Sequence, residues 1–308
     1  MTTVGFAGLG AMGSRMAGRL LASGHQVHGT DRTASNGTAL AERGMVWCGT
    51  PREVAAAAEV TFSSVSDDAA VEAITSGPDG ILAGLAPGKV YVDMSTIGPE
   101  TSRRVAERVR ARGAEMLDAP VSGSVPAAED GTLVIMVGGE EETFRSVDPL
   151  LRTLGRTVTR VGTNGQALLL KLAINASLGA QMLAFSEGVL LAERGGIDRK
   201  LAVDVMTDSS IGSPMLKARA PFVLDLPDDA WFDVRLMRKD LVLALQAARA
   251  LAVPVPAAAT TADLLTWASA LGYGHRDIAA LFEVLARTAK ADVRVSTSRN
   301  TEPGEGQP

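Results

Sequence analysis

An apolar run, Val4-Gly5-Phe6-Ala7, passes straight into Gly8-Leu9-Gly10-Ala11-Met12-Gly13 and then into a helix-like stretch from Ser14 to Ala22. A strand, a glycine turn and a helix start in that order constrain the fold strongly, because each glycine has a separate task. Gly8 allows the tight turn, Gly10 lets a pyrophosphate approach the backbone, and Gly13 permits close packing of the helix. The helix N-terminus then faces the phosphates with free N–H groups and the positive end of its dipole, so the loop needs no Lys or Arg. A plain glycine-rich turn is the competing reading. Against it stands a second apolar run, Gln26-Val27-His28-Gly29-Thr30, which ends at Asp31, where a ribose ligand belongs.

The rest of the first half extends this pattern. Strand-like runs recur at 4–7, 26–30, 60–65, 90–93, 115–117, 133–137 and 157–161, with Ala-rich amphipathic segments between them. That alternation predicts a parallel sheet covered by helices. After Gly162-Thr163-Asn164-Gly165 it stops. Gln166 to Arg194 has no proline and reads as one helix about 45 Å long, with Thr163 or Asn164 as its cap and Gly195-Gly196 as its end. Its faces are apolar nearly all round, which predicts burial between domains or subunits and hence a homo-oligomer, a dimer or tetramer. Lys171, Asn175, Gln181, Ser186 and Glu187 interrupt it too often for a membrane span. Further helices are expected at 198–207, 213–224, 232–251, 255–271 and 275–290. The predicted domains are 1–162, 163–292 and a disordered polar tail at 293–308.

Composition narrows the chemistry. With 308 residues, 46% hydrophobic and 21% charged, the chain has a soluble globular balance, and no signal peptide is evident. A formal net charge of −5 gives no footprint for nucleic acid, and no basic cluster suggests a membrane surface. The expectation is a cytoplasmic protein with small-molecule partners. A single cysteine, Cys48, excludes an internal disulfide, and His25, His28 and His275 lack metal-ligand spacing, so no metal is expected.

Three constellations remain. Lys171 lies within the long helix with Asn175 one turn later on the same face. An ammonium in a poorly solvated cleft loses basicity and exchanges protons near neutral pH; a snorkelling lysine that merely covers apolar surface is equally compatible with the spacing. Asp118-Ala119-Pro120-Val121-Ser122-Gly123-Ser124 follows a predicted strand, and its N–H groups with the Ser122 hydroxyl suit a carboxylate, although turns of this composition are common. Phe232-Asp233-Val234-Arg235-Leu236-Met237-Arg238-Lys239-Asp240 marks a charged helix start, which by itself reads as capping and solvation.

Taken together, Gly8-Leu9-Gly10-Ala11-Met12-Gly13, the 118–123 loop and the Lys171/Asn175 helix, in this order, resemble the β-hydroxyacid dehydrogenase family (3-hydroxyisobutyrate dehydrogenase-like) up to about residue 290. Ala128-Glu129-Asp130-Gly131-Thr132-Leu133 and Ala184-Phe185-Ser186-Glu187-Gly188 look most like the branch of glyoxylate and succinic semialdehyde reductases and γ-hydroxybutyrate dehydrogenases. The resemblance implies a Rossmann-type doubly wound sheet followed by an all-α domain, joined by the long helix. It implies an NAD(P)-dependent oxidoreductase that binds NAD(H) or NADP(H) and a small carboxylate-bearing substrate. By resemblance Lys171 donates and accepts the proton, Ser122 and Gly123 hold the carboxylate, and Asn175 orients the substrate or the lysine. Thr96 stands by nicotinamide and substrate, Phe232 walls the pocket, and Lys239 and Asp240 close it. The backbone of Val65 lies along the cofactor. Asp31-Arg32-Thr33 is mixed, since relatives that use NADPH carry Asn-Arg-Thr; aspartate favours NADH while Arg32 pulls the other way. Ser124 and Val125 depart from the glycine or lysine of other members. The rival readings are an imine reductase on a similar fold and a cofactor-binding subunit without activity.

Overall fold

The strand-like runs pair as their spacing predicts, because the two sides of every central strand are buried and only a sheet covered on both faces satisfies that. The computed structural model describes residues 1–296, with side chains to 289. In chain order it contains β1 (Thr3–Ala7), α1 (Gly13–Ala22), β2 (Gln26–Thr30), α2 (Thr38–Glu42), β3 (Val46–Trp47), α3 (Pro51–Ala57), β4 (Val60–Ser63), α4 (Asp68–Thr75), α5 (Ile81–Gly84) and β5 (Val90–Asp93). There follow α6 (Pro99–Arg110), β6 (Glu115–Asp118), β7 (Val121–Ser122), α7 (Val125–Asp130), β8 (Leu133–Gly138), α8 (Glu141–Leu154) and β9 (Gly155–Gly162). The remainder is helical: α9 (Gln166–Arg194), α10 (Arg199–Asp208), α11 (Pro214–Leu224), α12 (Val234–Ala250), α13 (Pro256–Ala268) and α14 (Leu281–Ser296). Of the expected tail, 293–296 belong to the end of α14 and 297–308 lie outside the described residues.

The sheet runs β3-β2-β1-β4-β5-β6-β8-β7, with β9 beside β8. Strands β1 to β6 are mutually parallel and the order reverses beside β1, the doubly wound arrangement whose ligand crevice lies past the C-terminal strand ends. β8 runs antiparallel to β6 and β7. Alternation then divides the core: Phe6, Phe62, Val92 and Leu117 join one cluster with Met16 and Leu20 of α1, while Tyr91 and Met116 join another with Val105 of α6 and Leu168 of α9. The expected strands are all present. Two short ones, β3 and β7, were not expected, because two residues carry no readable alternation.

The chain clusters into two compact units, Met1–Asn175 with Val242–Pro254, and Ala176–Leu241 with the described residues from Val255. Helix α9 buries a face centred on Leu168, Leu172, Asn175, Gly179, Met182, Ser186 and Val189, at alternating steps of four and three, and widened by Ala167, Leu183 and Phe185. The all-round burial expected from composition is not met within one chain: Leu170 and Leu191 are 41% and 77% exposed. By length and composition alone this helix would pass for a membrane span. Its cap also differs from expectation. Gln166 Oε1 accepts from the Thr163 N–H at 2.8 Å, and the Asn164 side chain is engaged elsewhere.

Two later helix starts shift for similar reasons. Asp233 caps α12 through the Leu236 N–H (2.8 Å), so that helix begins at Val234 rather than 232. Asp277 is committed to a buried cluster described below, and the final helix begins with a short turn at Ile278 and continues as α14.

One side chain closes a helix of the sheet layer. Lys89 Nζ donates to the carbonyls of Ala55, Ala56 and Ala58 at 2.6, 2.6 and 2.9 Å, satisfying the C-terminal end of α3 with a cation where the dipole favours one. Replacing Lys89 with Met is expected to lower stability by about 1.5–3 kcal/mol, the range for hydrogen bonds from a charged group. Urea unfolding with an unchanged m-value checks it.

Candidate active site

The glycine turn between β1 and α1 is built by close approach. Gly8 has φ +92°, and a Cβ there would lie 2.4 Å from Ser64 O and 2.9 Å from Val65 Cγ1, so the turn presses against the end of β4. A Cβ on Gly13 would fall 1.9 Å from Gly8 O. Gly10 is the opposite case: nothing lies within 4 Å of its added Cβ. Among the described residues no side chain caps the N-terminus of α1 and no acid occupies its first turn. An open glycine with unclaimed amides at the positive end of a helix fits a pyrophosphate. Leu9 is buried, Met12 half-buried and Ala11 exposed around it.

Asp31, just past β2, fixes this turn from the side. Its Oδ2 accepts from the Leu9 N–H at 2.6 Å, and its Oδ1 accepts from the Thr33 N–H at 2.8 Å and Asn36 Nδ2 at 3.1 Å. Three donors hold the carboxylate in one orientation. Arg32 and Thr33 are exposed. On the other side, the Val65 N–H donates to Ser95 Oγ at 2.9 Å, which draws the end of β4 to the loop that carries Thr96. That use of its N–H ends β4 at Ser63 instead of the expected 65, and the half-buried Val65 side chain packs against the core cluster of Tyr91 and Met116.

Below the loops lies a buried polar row. Ser63 Oγ donates to Asp93 Oδ1 at 2.8 Å and is 2.8 Å from Tyr91 Oη, and the Ser95 N–H donates to the same Asp93 oxygen at 3.1 Å. Asp93 is the register partner of Asp118 on β6. Asp118 Oδ1 accepts from Asn164 Nδ2 (3.1 Å) and from the Gly165 N–H (2.9 Å). Both carboxylates are buried, and the second oxygen of each accepts nothing among the described residues. Burial lifts Asp118 from the ordinary 3.8 to about 6 against its two hydrogen bonds, and the charge of Asp93 adds to the rise. Burial pushes Asp93 upward too, opposed by Ser95 and Ser63.

The remaining expected residues fall on three elements. Ser122 pairs with Val134 across β7 and β8 and is half-buried; Gly123 follows it, exposed. Lys171 is half-buried on α9, and Asn175, one turn on, is 1% exposed within the buried stripe. The sequence therefore brings the glycine turn, Asp31, Val65, Thr96, Ser122, Gly123, Lys171 and Asn175 into one compact unit. Phe232, Lys239 and Asp240 belong to the other. There, Asp277 accepts from the N–H groups of Trp231 (3.1 Å) and Phe232 (3.2 Å) and pairs with Arg219 at 3.3 Å, all but excluded from water. Lys239 Nζ lies 2.8 Å from Asp240 Oδ1, so these two charges neutralise each other locally.

The sequence marks Asp118 only as the start of a candidate carboxylate loop and Asn164 only as one of two candidate caps, and it gives Asp93 and Asp277 no role. Asp93 and Asp118 both carry the signal of an acid at a strand end, but the side chains and amides they share with Ser63, Asn164 and Gly165 are remote in sequence.

Comparison with known proteins finds relatives over most of the chain. Residues 3–162 match the family described as the NAD binding domain of 6-phosphogluconate dehydrogenase, and residues 165–285 match NAD-binding of NADP-dependent 3-hydroxyisobutyrate dehydrogenase. Glyoxylate/succinic semialdehyde reductase 1 of Arabidopsis thaliana is 34% identical over 282 residues, covering 92% of this chain and 98% of its own. 2-Hydroxy-3-oxopropionate reductase of Escherichia coli is 36% identical over 282 residues, covering 92% and 96%. A crystal structure of 3-hydroxyisobutyrate dehydrogenase from Salmonella typhimurium, 30% identical, matches with TM-score 0.85 over 92% of this chain and 100% of that one. An imine reductase from a Pseudomonas species, at 24% identity and TM-score 0.61 over 92% and 99%, shares the fold alone.

The raised Asp118 has a consequence for stability with a definite sign. Between pH 3.8 and about 6 the folded protein holds a proton on Asp118 that the unfolded chain has released. Stability from this group is therefore full below 3.8 and is lost as pH rises through about 6, by at most about 3 kcal/mol. Denaturant titrations of the wild type and Asp118→Asn across that window check it: the slope contributed by this residue disappears in the variant.

Proposed function

The chain belongs to the NAD(P)-dependent β-hydroxyacid dehydrogenase family, and from that premise we propose that it interconverts a small hydroxy acid and its aldehyde or keto acid. The observation that carries the reading is the Asp118 carboxylate, which ties the loop of Ser122 to the start of the helix of Lys171. Gly8, Gly10 and Gly13 with the α1 amides suit the pyrophosphate, and a nicotinamide, when bound, supplies or accepts the hydride. The chain's own work is binding and proton transfer. Ser122 and the amide of Gly123 hold the substrate carboxylate, and Asn175 orients the reacting end. In reduction the carbonyl carbon gains a hydride, its oxygen becomes an alkoxide, and the Lys171 ammonium gives that oxygen a proton. In oxidation neutral Lys171 removes the hydroxyl proton as the hydride leaves. Thr96, on the loop drawn to Val65, lines the same site.

The reading includes a cytoplasmic homodimer or homotetramer without nucleic acid or membrane partners. Exposed Leu191, Ile197, Leu201 and Val205 support the oligomer, since these apolar side chains lie uncovered in a single chain. A substrate without a carboxylate, as an imine reductase takes, leaves Ser122 and Gly123 without a role.

Lys171→Met is expected to lower kcat/KM for glyoxylate or succinic semialdehyde by about 100-fold or more while cofactor affinity stays within a factor of two. Near-normal turnover in that variant overturns the role of the lysine.

For the cofactor, the pinned orientation of Asp31 favours NADH. A ribose diol donates hydrogen bonds to a carboxylate, whereas a 2′-phosphate meets a like charge that three donors prevent from turning away. NADH is expected to exceed NADPH in kcat/KM by about tenfold or more, and Asp31→Asn, which keeps an acceptor but loses the charge, to narrow that ratio by about tenfold. Steady-state kinetics with both cofactors decide it.

A further inference from the structure

Asp118 sits where three separate pieces of chain end. It is the last residue of β6 and begins the loop to Ser122; its Oδ1 receives the Gly165 N–H immediately before α9 and the amide of Asn164. That amide also donates to Met116 O at 3.0 Å and Gly138 O at 3.3 Å, while Arg110 NH1 of α6 donates to Asn164 Oδ1 at 3.2 Å. Gly138 leaves the space: a Cβ there would stand 2.7 Å from Asp118 Oδ2. Asp118 shares the sheet face of Met116, the face whose core cluster includes Leu168 on the first turn of α9.

We propose that Asp118 is a positioning residue for catalysis, locking the start of α9 to the 118–123 loop so that Lys171 and Ser122 keep one fixed spacing. The proposal rests on the reading of Lys171 and Ser122 given above. Two further facts set it apart from ordinary packing. A carboxylate at the N-terminal end of a 29-residue helix receives both the orphan N–H and the dipole, so it fixes the helix along its axis as well as in rotation. Its burial also works against its ionised form, as the rise to about 6 records, so the acceptor is kept at this edge at a cost that its bonds to Asn164 and Gly165 offset.

The test compares Asp118→Ala, Asp118→Asn and Asn164→Ala with wild type and Lys171→Met, using NADH and succinic semialdehyde. Asp118→Ala removes the acceptor. It is expected to lower kcat by about 10- to 100-fold, the scale of an ångström of misplacement, with the NADH Kd within a factor of two. Asp118→Asn keeps an oxygen for the Gly165 N–H and is expected to hold kcat within about threefold of wild type. Asn164→Ala, which retains the carboxylate, falls between them. A folded Asp118→Ala with kcat within twofold of wild type overturns the proposal, as does an Asp118→Asn that loses as much as the alanine. Should Asp118→Ala not fold, wild-type kcat in Asn164→Ala overturns it and a loss of about threefold to tenfold supports it. Full activity in Lys171→Met instead condemns the underlying reading, so the two failures are distinguishable.

Discussion

Carboxylates at the carboxyl ends of strands hold this protein's loops. A parallel sheet buried on both faces delivers its loops to one edge, and the first N–H groups beyond each strand need acceptors that neighbouring strands no longer supply. Asp31 follows β2 and takes the amides of Leu9 and Thr33. Asp93 ends β5 and takes the amide of Ser95 and the hydroxyl of Ser63; Asp118 ends β6 and takes the amide of Gly165. The helical unit repeats the device with Asp277, which gathers the amides of Trp231, Phe232 and Ala279. In every case a short acidic side chain takes a backbone amide that no strand or helix partner claims.

The arrangement costs stability where it is deepest. Asp277 has Arg219 against it, a buried pair whose charges compensate. Asp93 and Asp118 have no cation in direct contact among the described residues, lie in register on adjacent strands, and both hold protons more tightly than an exposed carboxyl. An uncharged core at that edge would pack more favourably, but it would leave the amides of Ser95 and Gly165 without acceptors. The edge thus exchanges some stability for defined loop positions, and those loops carry Thr96 and lead to Ser122 and Lys171.

Legibility from sequence followed distance along the chain. The glycine turn and the seven longer strands are readable because the causes are local: φ demands, a side-chain period of two, and turn residues between runs. Asp118 and Gly165 are 47 positions apart, and Arg219 and Asp277 are 58 apart, so no window contains either pair. Of the two expected caps, Thr163 and Asn164, the side chain of Asn164 has instead a set of acceptors, Met116 O, Asp118 and Gly138 O, that only the folded edge assembles. The α9 composition predicts burial between domains or subunits, and within one chain the fold buries one broad face and leaves Leu170 and Leu191 exposed. Composition reports how much apolar surface a helix has, not how much of it one chain can cover.

That face gives Lys171 its character. Leu168, Leu172 and Asn175 fix which side of α9 faces inward, and Lys171, three residues after Leu168 and four before Asn175, falls at the margin of the buried face rather than within it. A lysine at the centre would have to be neutral or paired, and one on the far side would be an ordinary exposed cation. That half-buried position is the one the proposed role asks for, since a group that alternately gives and takes a proton needs both an apolar flank for its stem and an open side for its head. Rotation of α9 by one residue would move the lysine by about 100° and end that balance. The anchoring of the helix start by Asp118 and the buried stripe beyond it are therefore two halves of one constraint, the first setting where α9 begins and the second how it is turned.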